Sequence, residues 1–398
     1  MTYRVFFGAG PANVIEAHKS WAMGEHYPRE VSITFSSQFT DFCRNVAAQA
    51  YIVGWPKDKA IHRDGQFTLE HRPKPMPNSK GLRYHIAEII YGFGLFLTAI
   101  RFRANLAVLE SGITHYFMMA LFPLAGIRTI IVLHSTLWPS GFPPTRAVPR
   151  MIAKLDSLVL RNVTVIGVSP ECIRQLEQLT RGKATSSYQI RAQFRREIFE
   201  KIPKPPVHNQ IPFRIMYVGR VTRNKGVYDI LEIAKKIEDQ HPGRVRWDIC
   251  GSGPDLEGLR VRFNDLKLTG VVTIRGWTPL DELQRVYARS HASIVPTRSD
   301  YREGLAMTAA EAILAGRPLI TNAVVPALEI LRSASVEAKT DDVGSYVDAI
   351  LRIVYDQQLY NRLCNACTDL QRQFYDRQQG LDKVLEKILE PVRPEIAK

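Results

Sequence analysis

A chain of 398 residues is too long for one ordinary core and suits two α/β domains. Its apolar share of 45% and charged share of 23% are those of a globular protein, which excludes wholesale disorder and fibrous repeats. The net charge of +14 is uneven: residues 1–200 hold 24 Lys and Arg against 14 Asp and Glu, so polyanions are the partners to consider, although no zinc-finger spacing or RNA-binding strand signature accompanies the charge and no nucleic-acid partner is expected.

The chain opens on Met-Thr-Tyr-Arg-Val-Phe-Phe, which lacks the apolar core of a signal peptide, so a cytoplasmic protein is expected. Strand-like runs follow at Tyr3–Phe7, Val31–Phe35, Ala50–Val53, Leu106–Leu109, Thr129–Leu133 and Val163–Val168, alternating with helical patterns such as Asn13–Met23. That alternation predicts a mostly parallel sheet with helices on both faces. Prolines at 73, 75 and 77 mark a loop. Ile86–Phe102 is the most apolar stretch, but Glu88, Arg101 and two glycines make it a buried or interfacial helix and not a membrane span. Arg101–Arg103 and Arg191–Arg196 interleave cations with apolar residues and permit contact with the inner, anionic face of a membrane. The five cysteines are odd in number. Cys364 and Cys367 form a lone C-x-x-C on a helical stretch, which reads as reduced thiols.

Lys201–Pro212 carries four prolines in twelve residues and reads as a linker between domains spanning 1–200 and 213–375, with a helical tail over 376–398. Beyond it a second β-first pattern begins. Strands are expected at Phe213–Val218, Arg246–Ile249, Val271–Ile274, Ala292–Val295 and Pro318–Thr321. Helices are expected at Tyr228–Asp239, Asp255–Leu266, Leu280–Arg289, Met307–Leu314, Val343–Tyr355 and Leu381–Leu389. Two doubly wound domains facing across a cleft would bind ligands at the carboxyl ends of their strands.

The chemistry-bearing residues cluster at those strand ends. Tyr217-Val-Gly-Arg-Val-Thr-Arg-Asn-Lys-Gly226 places Gly219, Arg220 and Lys225 between a strand and a helix, where two cations and the helix dipole suit a diphosphate. Gly251 and Gly253 open the loop after the next strand, and Arg275-Gly-Trp277 ends the third, offering backbone and a flat ring to a base. Glu303 and Glu311 are separated by seven residues. On a helix starting near Gly304, Leu305 and Ala306 they would share one face about 12 Å apart, holding the two polyol ends of one ligand. The amides after Glu303 would meet phosphate.

This ordered set, Gly-Arg…Lys-Gly, Gly-x-Gly-Pro, Arg-Gly-Trp and Glu-x7-Glu followed by Ala-Gly-x-Pro, resembles the donor domain of glycosyltransferase family 4, over about 160 residues from Phe213 to Leu370. The resemblance implies the GT-B fold and retaining, metal-independent transfer from a nucleotide-sugar, with no cofactor. It implies that Arg220 and Lys225 bind the donor diphosphate, Glu303 the sugar, Glu311 the ribose, and the backbone near Arg275–Trp277 the base. The absence of an Asp-x-Asp pair accords with that. Gly8 and Gly10 resemble the family's first glycine-rich loop, which approaches the donor phosphate, and His134 follows a strand where the family carries a histidine near the donor sugar. Glu110, ending the preceding strand, is a weaker candidate, and Ser169 reads as a helix cap. The expected partners are a nucleotide-sugar donor and a glycan or polyprenyl-linked acceptor. The competing readings are another GT-B reaction such as nucleotide-sugar epimerisation, a non-catalytic partner subunit, or a nucleic-acid binder resting on charge alone.

Overall fold

The computed structural model describes residues 3–390 apart from 29, 78 and 146. The chain divides into two compact units, each built on its own sheet: Met1–His134 with Thr145–Gln193 and Asp376–Lys398 form one, and Ser135–Pro144 with Phe194–Tyr375 form the other.

The first unit holds eight strands: β1 (Arg4–Gly8), β2 (Gln49–Gly54), β3 (Ala60–Asp64), β4 (Phe67–His71), β5 (Leu106–Glu110), β6 (Arg128–Leu133), β7 (Thr164–Gly167) and β8 (Ser186–Gln189). Their order is β3-β4-β2-β1-β5-β6-β7-β8, parallel except for β3, which pairs antiparallel with β4. Strands covered on both faces read as unbroken apolar runs, and β5 (Leu-Ala-Val-Leu-Glu) is buried at all five positions. Strands β3, β4 and β8 carry polar residues that break that signature, so apolar pattern alone does not reveal them.

Val31–Phe35 is not a strand. Thr34 caps a helix, Phe35–Asn45, by accepting the Ser37 N–H on its Oγ1 at 3.0 Å, and Phe39, Phe42 and Cys43 turn its apolar face inward. The capping hydroxyl outweighs the β-branched run before it. The C-terminal helix Leu381–Leu389 packs on this same helix: Leu381 N–H donates to Gln38 Oε1 at 2.7 Å, and Asn45 Nδ2 donates to Glu386 Oε1 at 2.8 Å. Residues beyond 376 are therefore part of the first unit.

The second unit carries β9 (Phe213–Val218), β10 (Val245–Cys250), β11 (Val272–Gly276), β12 (Ala292–Val295), β13 (Leu319–Asn322) and β14 (Ser335–Ala338), in the order β11-β10-β9-β12-β13-β14 with every pair parallel. Helices Val227–Gln240, Leu280–Arg289, Met307–Leu314 and Val343–Tyr355 match their amphipathic patterns. One core cluster runs from Phe213 and Ile215 through Ile230, Trp247 and Ile294 to Ile350. The five cysteines are free thiols.

Both sheets reverse their winding direction once: between β1 and β5 in the first unit, and between β9 and β12 in the second. Loops that leave neighbouring strands in opposite directions open a crevice there, and ligands of open α/β sheets bind at such points.

Candidate functional site: two switch points

In the second unit the loops after β9, β10 and β11 are zipped backbone to backbone. Gly219 N–H donates to Cys250 O at 3.0 Å, Val221 N–H to Ser252 O at 2.9 Å and Gly251 N–H to Gly276 O at 2.7 Å. The close approach explains the glycines. Gly251 has φ +145°, and a Cβ there would lie 1.8 Å from Gly219 O; at Gly253 it would lie 2.2 Å from Val221 O. These two glycines build the ledge by letting protein backbones meet, so their nearest backbone neighbour is protein and not ligand.

On that ledge Arg220 is exposed and has no ion-pair partner among the described residues. Its backbone is pinned by Tyr217, whose phenol donates to Arg220 O at 2.8 Å. Burial pushes that phenol far above its ordinary pKa, with Glu303 and Tyr301 adding to the effect, so it remains a donor. Arg220 borders a surface pocket of about 320 Å³ with Asn224, Asp255, Asp300 and Tyr301.

Lys225 ends a single 3-10 turn, Arg223–Lys225, ahead of helix Val227–Gln240. Its Nζ lies 2.5 Å from Glu303 Oε2 and 4.3 Å from the centre of the Tyr301 ring. Tyr301 thus borders the Arg220 pocket and also carries Lys225 on its face. Glu303 is 6% exposed. It accepts the Thr297 hydroxyl at 3.0 Å, and its carbonyl accepts the Thr136 N–H at 3.2 Å. The loop that brings Glu303 here is fastened at three places. Arg298 forks onto both Asp229 oxygens at 2.8 and 2.7 Å, Arg298 N–H donates to Asn224 O at 2.9 Å, and Asn322 Nδ2 donates to Thr297 O at 2.8 Å. Thr297, Tyr301 and Arg298 escaped sequence reasoning. Their signal was the polar run Thr-Arg-Ser-Asp-Tyr directly after a buried strand.

Glu303 does not begin the helix. Ala306 takes a left-handed conformation, φ +68°, and the helix starts at Met307, so the shared-face arithmetic for Glu303 and Glu311 does not apply. A non-glycine residue at positive φ is strained, and such strain gathers at functional loops. Gly304, Leu305 and Ala306 are buried, and Leu305 O accepts the Ala327 N–H at 3.2 Å. Their own N–H groups precede the first turn, where a helix offers no acceptor. Glu311 is buried on the helix, with the Tyr287 hydroxyl 3.5 Å from its Oε2.

The Arg275 side chain is already neutralised. Its Nε donates to Asp248 Oδ1 at 2.7 Å and its Nη1 to Glu282 Oε1 at 3.0 Å. Trp277 is exposed.

At the switch point of the first unit a carboxylate faces the glycine loop. Gly10 N–H donates to Glu110 Oε2 at 2.7 Å, so a buried carboxylate occupies the amide expected to meet phosphate. A Cβ on Gly8 would strike Ile113 Cδ1 at 2.6 Å, which makes that glycine a packing requirement. His134 follows β6 with its Nε2 3.1 Å from Glu110 Oε1, its N–H on Ser111 Oγ at 2.9 Å and the Phe35 ring against it at 4.5 Å. Glu110 is therefore the hub joining Gly10 to His134.

Residues 198–368 match the family described as "Glycosyl transferases group 1". The chain is 28% identical over 160 residues to D-inositol 3-phosphate glycosyltransferase of Corynebacterium jeikeium, a match covering 37% of this chain and 38% of that protein. The chain thus matches under two fifths of that relative's length. Among solved structures, sucrose-phosphate synthase of Thermosynechococcus elongatus superimposes with a TM-score of 0.70 over 98% of both chains at 14% identity. Anabaena HepE, solved with UDP and glucose, does so with a TM-score of 0.66 over 98% of this chain and 100% of that one at 12% identity. These likenesses establish the GT-B fold of two Rossmann-like domains.

Proposed function

We propose that the chain moves a hexose from a UDP- or GDP-sugar to a glycan or polyprenyl-linked acceptor, with retention of anomeric configuration and without a metal ion, as in family 4. Bacterial exopolysaccharide or lipopolysaccharide assembly at the inner membrane face is the setting that fits such an acceptor. The observation that carries this reading is the unpaired Arg220 beside the Lys225–Glu303 pair at the switch point of the second sheet, within the segment that matches group 1 glycosyl transferases.

In this reading the donor diphosphate lies across Arg220 and Lys225, and the phosphate takes over part of the ammonium that Glu303 now holds. Glu303, freed on one oxygen, accepts a sugar hydroxyl. Glu311 does the same for ribose, and backbone near Arg275–Trp277 meets the base. The acceptor oxygen bonds to the anomeric carbon on the side from which the diphosphate departs. The bond from that carbon to the β-phosphate oxygen breaks, its electron pair stays on the phosphate, and that oxygen takes the acceptor proton. The two cations stabilise the charge that develops there.

A melting series with UDP-, GDP- and ADP-sugars tests the donor assignment. A ligand at about 100 times its Kd raises native stability by roughly 2.7 kcal/mol. One nucleotide-sugar should raise Tm in the parent protein and fail to do so in Arg220→Ala. Product anomers read by NMR, with activity undiminished by chelator, test retention and metal independence. No shift with any nucleotide-sugar sinks the proposal.

A further inference from the structure

Helix Leu82–Arg101 is apolar on two sides. Ala87, Tyr91, Leu95 and Ala99 face inward and are buried. Leu82, Ile86, Ile89, Ile90, Phe93 and Ile100 recur at helical spacing on the other side and are exposed. A second helix, Ala147–Leu160, repeats the pattern with Met151, Leu155 and Leu158 exposed at intervals of four and three. Both helices pack against the short helix Tyr116–Met119, which makes them neighbours on the first unit. With Tyr84, these helices of 20 and 14 residues carry half of the twenty large apolar side chains that the described chain leaves exposed. Single exposed apolar residues are ordinary, but a concentration of this kind marks a docking surface.

The charges around the face identify the occupant. Lys80 and Arg83 lie at one end of the first helix, Arg101 and Arg103 at the other, and Lys154 stands beside the second stripe, all exposed. The acids on the two helices are withdrawn: Glu88 is buried on Lys74 at 2.7 Å, and Asp156 is half-buried. A second copy of this chain would bring the same cations against each other with no exposed carboxylate on either helix to answer them. Anionic lipid headgroups answer the cations while the acyl boundary takes the apolar stripes. Among the described residues no helix is long and apolar enough to cross a membrane, so the contact lies in the plane of the interface.

We propose that these two helices dock the chain on an anionic lipid bilayer, with Ile90, Phe93 and Leu155 entering the headgroup boundary. The proposal deepens the lipid-linked acceptor reading above, but its test needs neither donor nor acceptor, so either can fail alone.

The whole chain is to be sedimented with vesicles of phosphatidylcholine alone and of phosphatidylcholine mixed with phosphatidylglycerol. Binding is expected on the mixed vesicles and to weaken at high salt. Ile90→Glu with Phe93→Glu should lower the apparent affinity by roughly a hundredfold. Leu155→Glu alone, a check from the second helix, should lower it by about tenfold. Arg83→Ala with Arg101→Ala and Arg103→Ala should lower it by more than about tenfold. All substituted side chains are exposed, so circular dichroism should be unchanged. Three results would overturn the proposal: no binding to either vesicle, equal binding to both, or binding that survives the paired substitution. A dimer in sedimentation velocity that Ile90→Glu with Phe93→Glu disperses, without vesicle binding in the parent, would assign the face to a second copy instead.

Discussion

The two sheets reverse direction in the same way, yet the residues at their switch points carry opposite chemistry. In the first, Glu110 is buried between the Gly10 amide and His134, so the glycine loop already has its anion. In the second, Glu303 balances Lys225, and Arg220 stands without an ion pair among the described residues beside a pocket that Asp255 and Asp300 also border. Topology provides a crevice twice, and side chains decide what each one can hold. A glycine-rich first loop is therefore weaker evidence of phosphate binding than the fate of its N–H groups.

The largest test of that contrast is kinetic. Arg220→Ala or Lys225→Ala should cut kcat by about a hundred- to a thousandfold with the fold intact, the magnitude typical of losing one group that stabilises developing charge. Near-normal turnover in either purified variant would erase the distinction between the switch points. Next in size is the ledge: Gly251→Ala adds a Cβ at φ +145° against Gly219 O and should destabilise the second unit by roughly 3 kcal/mol, read as a lowered denaturant midpoint.

A comparable effect comes from pH. His291 precedes β12, its Nδ1 accepts the Arg214 N–H at 3.0 Å, and burial pulls its pKa down to about 4 from 6.5. The unfolded chain binds this proton first, so stability should fall as pH drops below 6.5 and level off near 4. The loss is on the order of 3 kcal/mol from this group. His291→Gln should flatten that window in chemical denaturation measured from pH 7 to 4. The smallest expected effect lies at the first switch point. Glu110→Gln keeps an acceptor for Gly10 but removes the charge beside His134, and should change kcat by about tenfold. An unchanged kcat would reduce Glu110 to a fastener.

How much of this was legible in the sequence depended on how local its cause was. Leu280–Arg289, Met307–Leu314 and Val343–Tyr355 follow from apolar spacing within the helix itself, and their ends were readable. Strands β9 and β12 followed from short runs that are apolar but for one polar residue each. Val31–Phe35 misled because a capping threonine, one hydroxyl, decides between strand and helix. The cations and Glu303 were visible as types at strand ends. Their pairing was not, because Lys225 and Glu303 stand 78 residues apart and meet only through the adjacency of β9 and β12. Glu110 looked weak for the same reason: its partners Gly10 and His134 come from two other strands.

The helix Leu381–Leu389 fastens to Phe35–Asn45, although residues 194–375 form a separate body in between. During synthesis the second unit, contiguous from Phe194 to Tyr375 apart from ten earlier residues, can close as soon as it leaves the ribosome. The first-made half must wait, with helix Phe35–Asn45 uncovered, until the closing helix arrives. Newly made protein should accordingly become protease-resistant in its later portion before its earlier one.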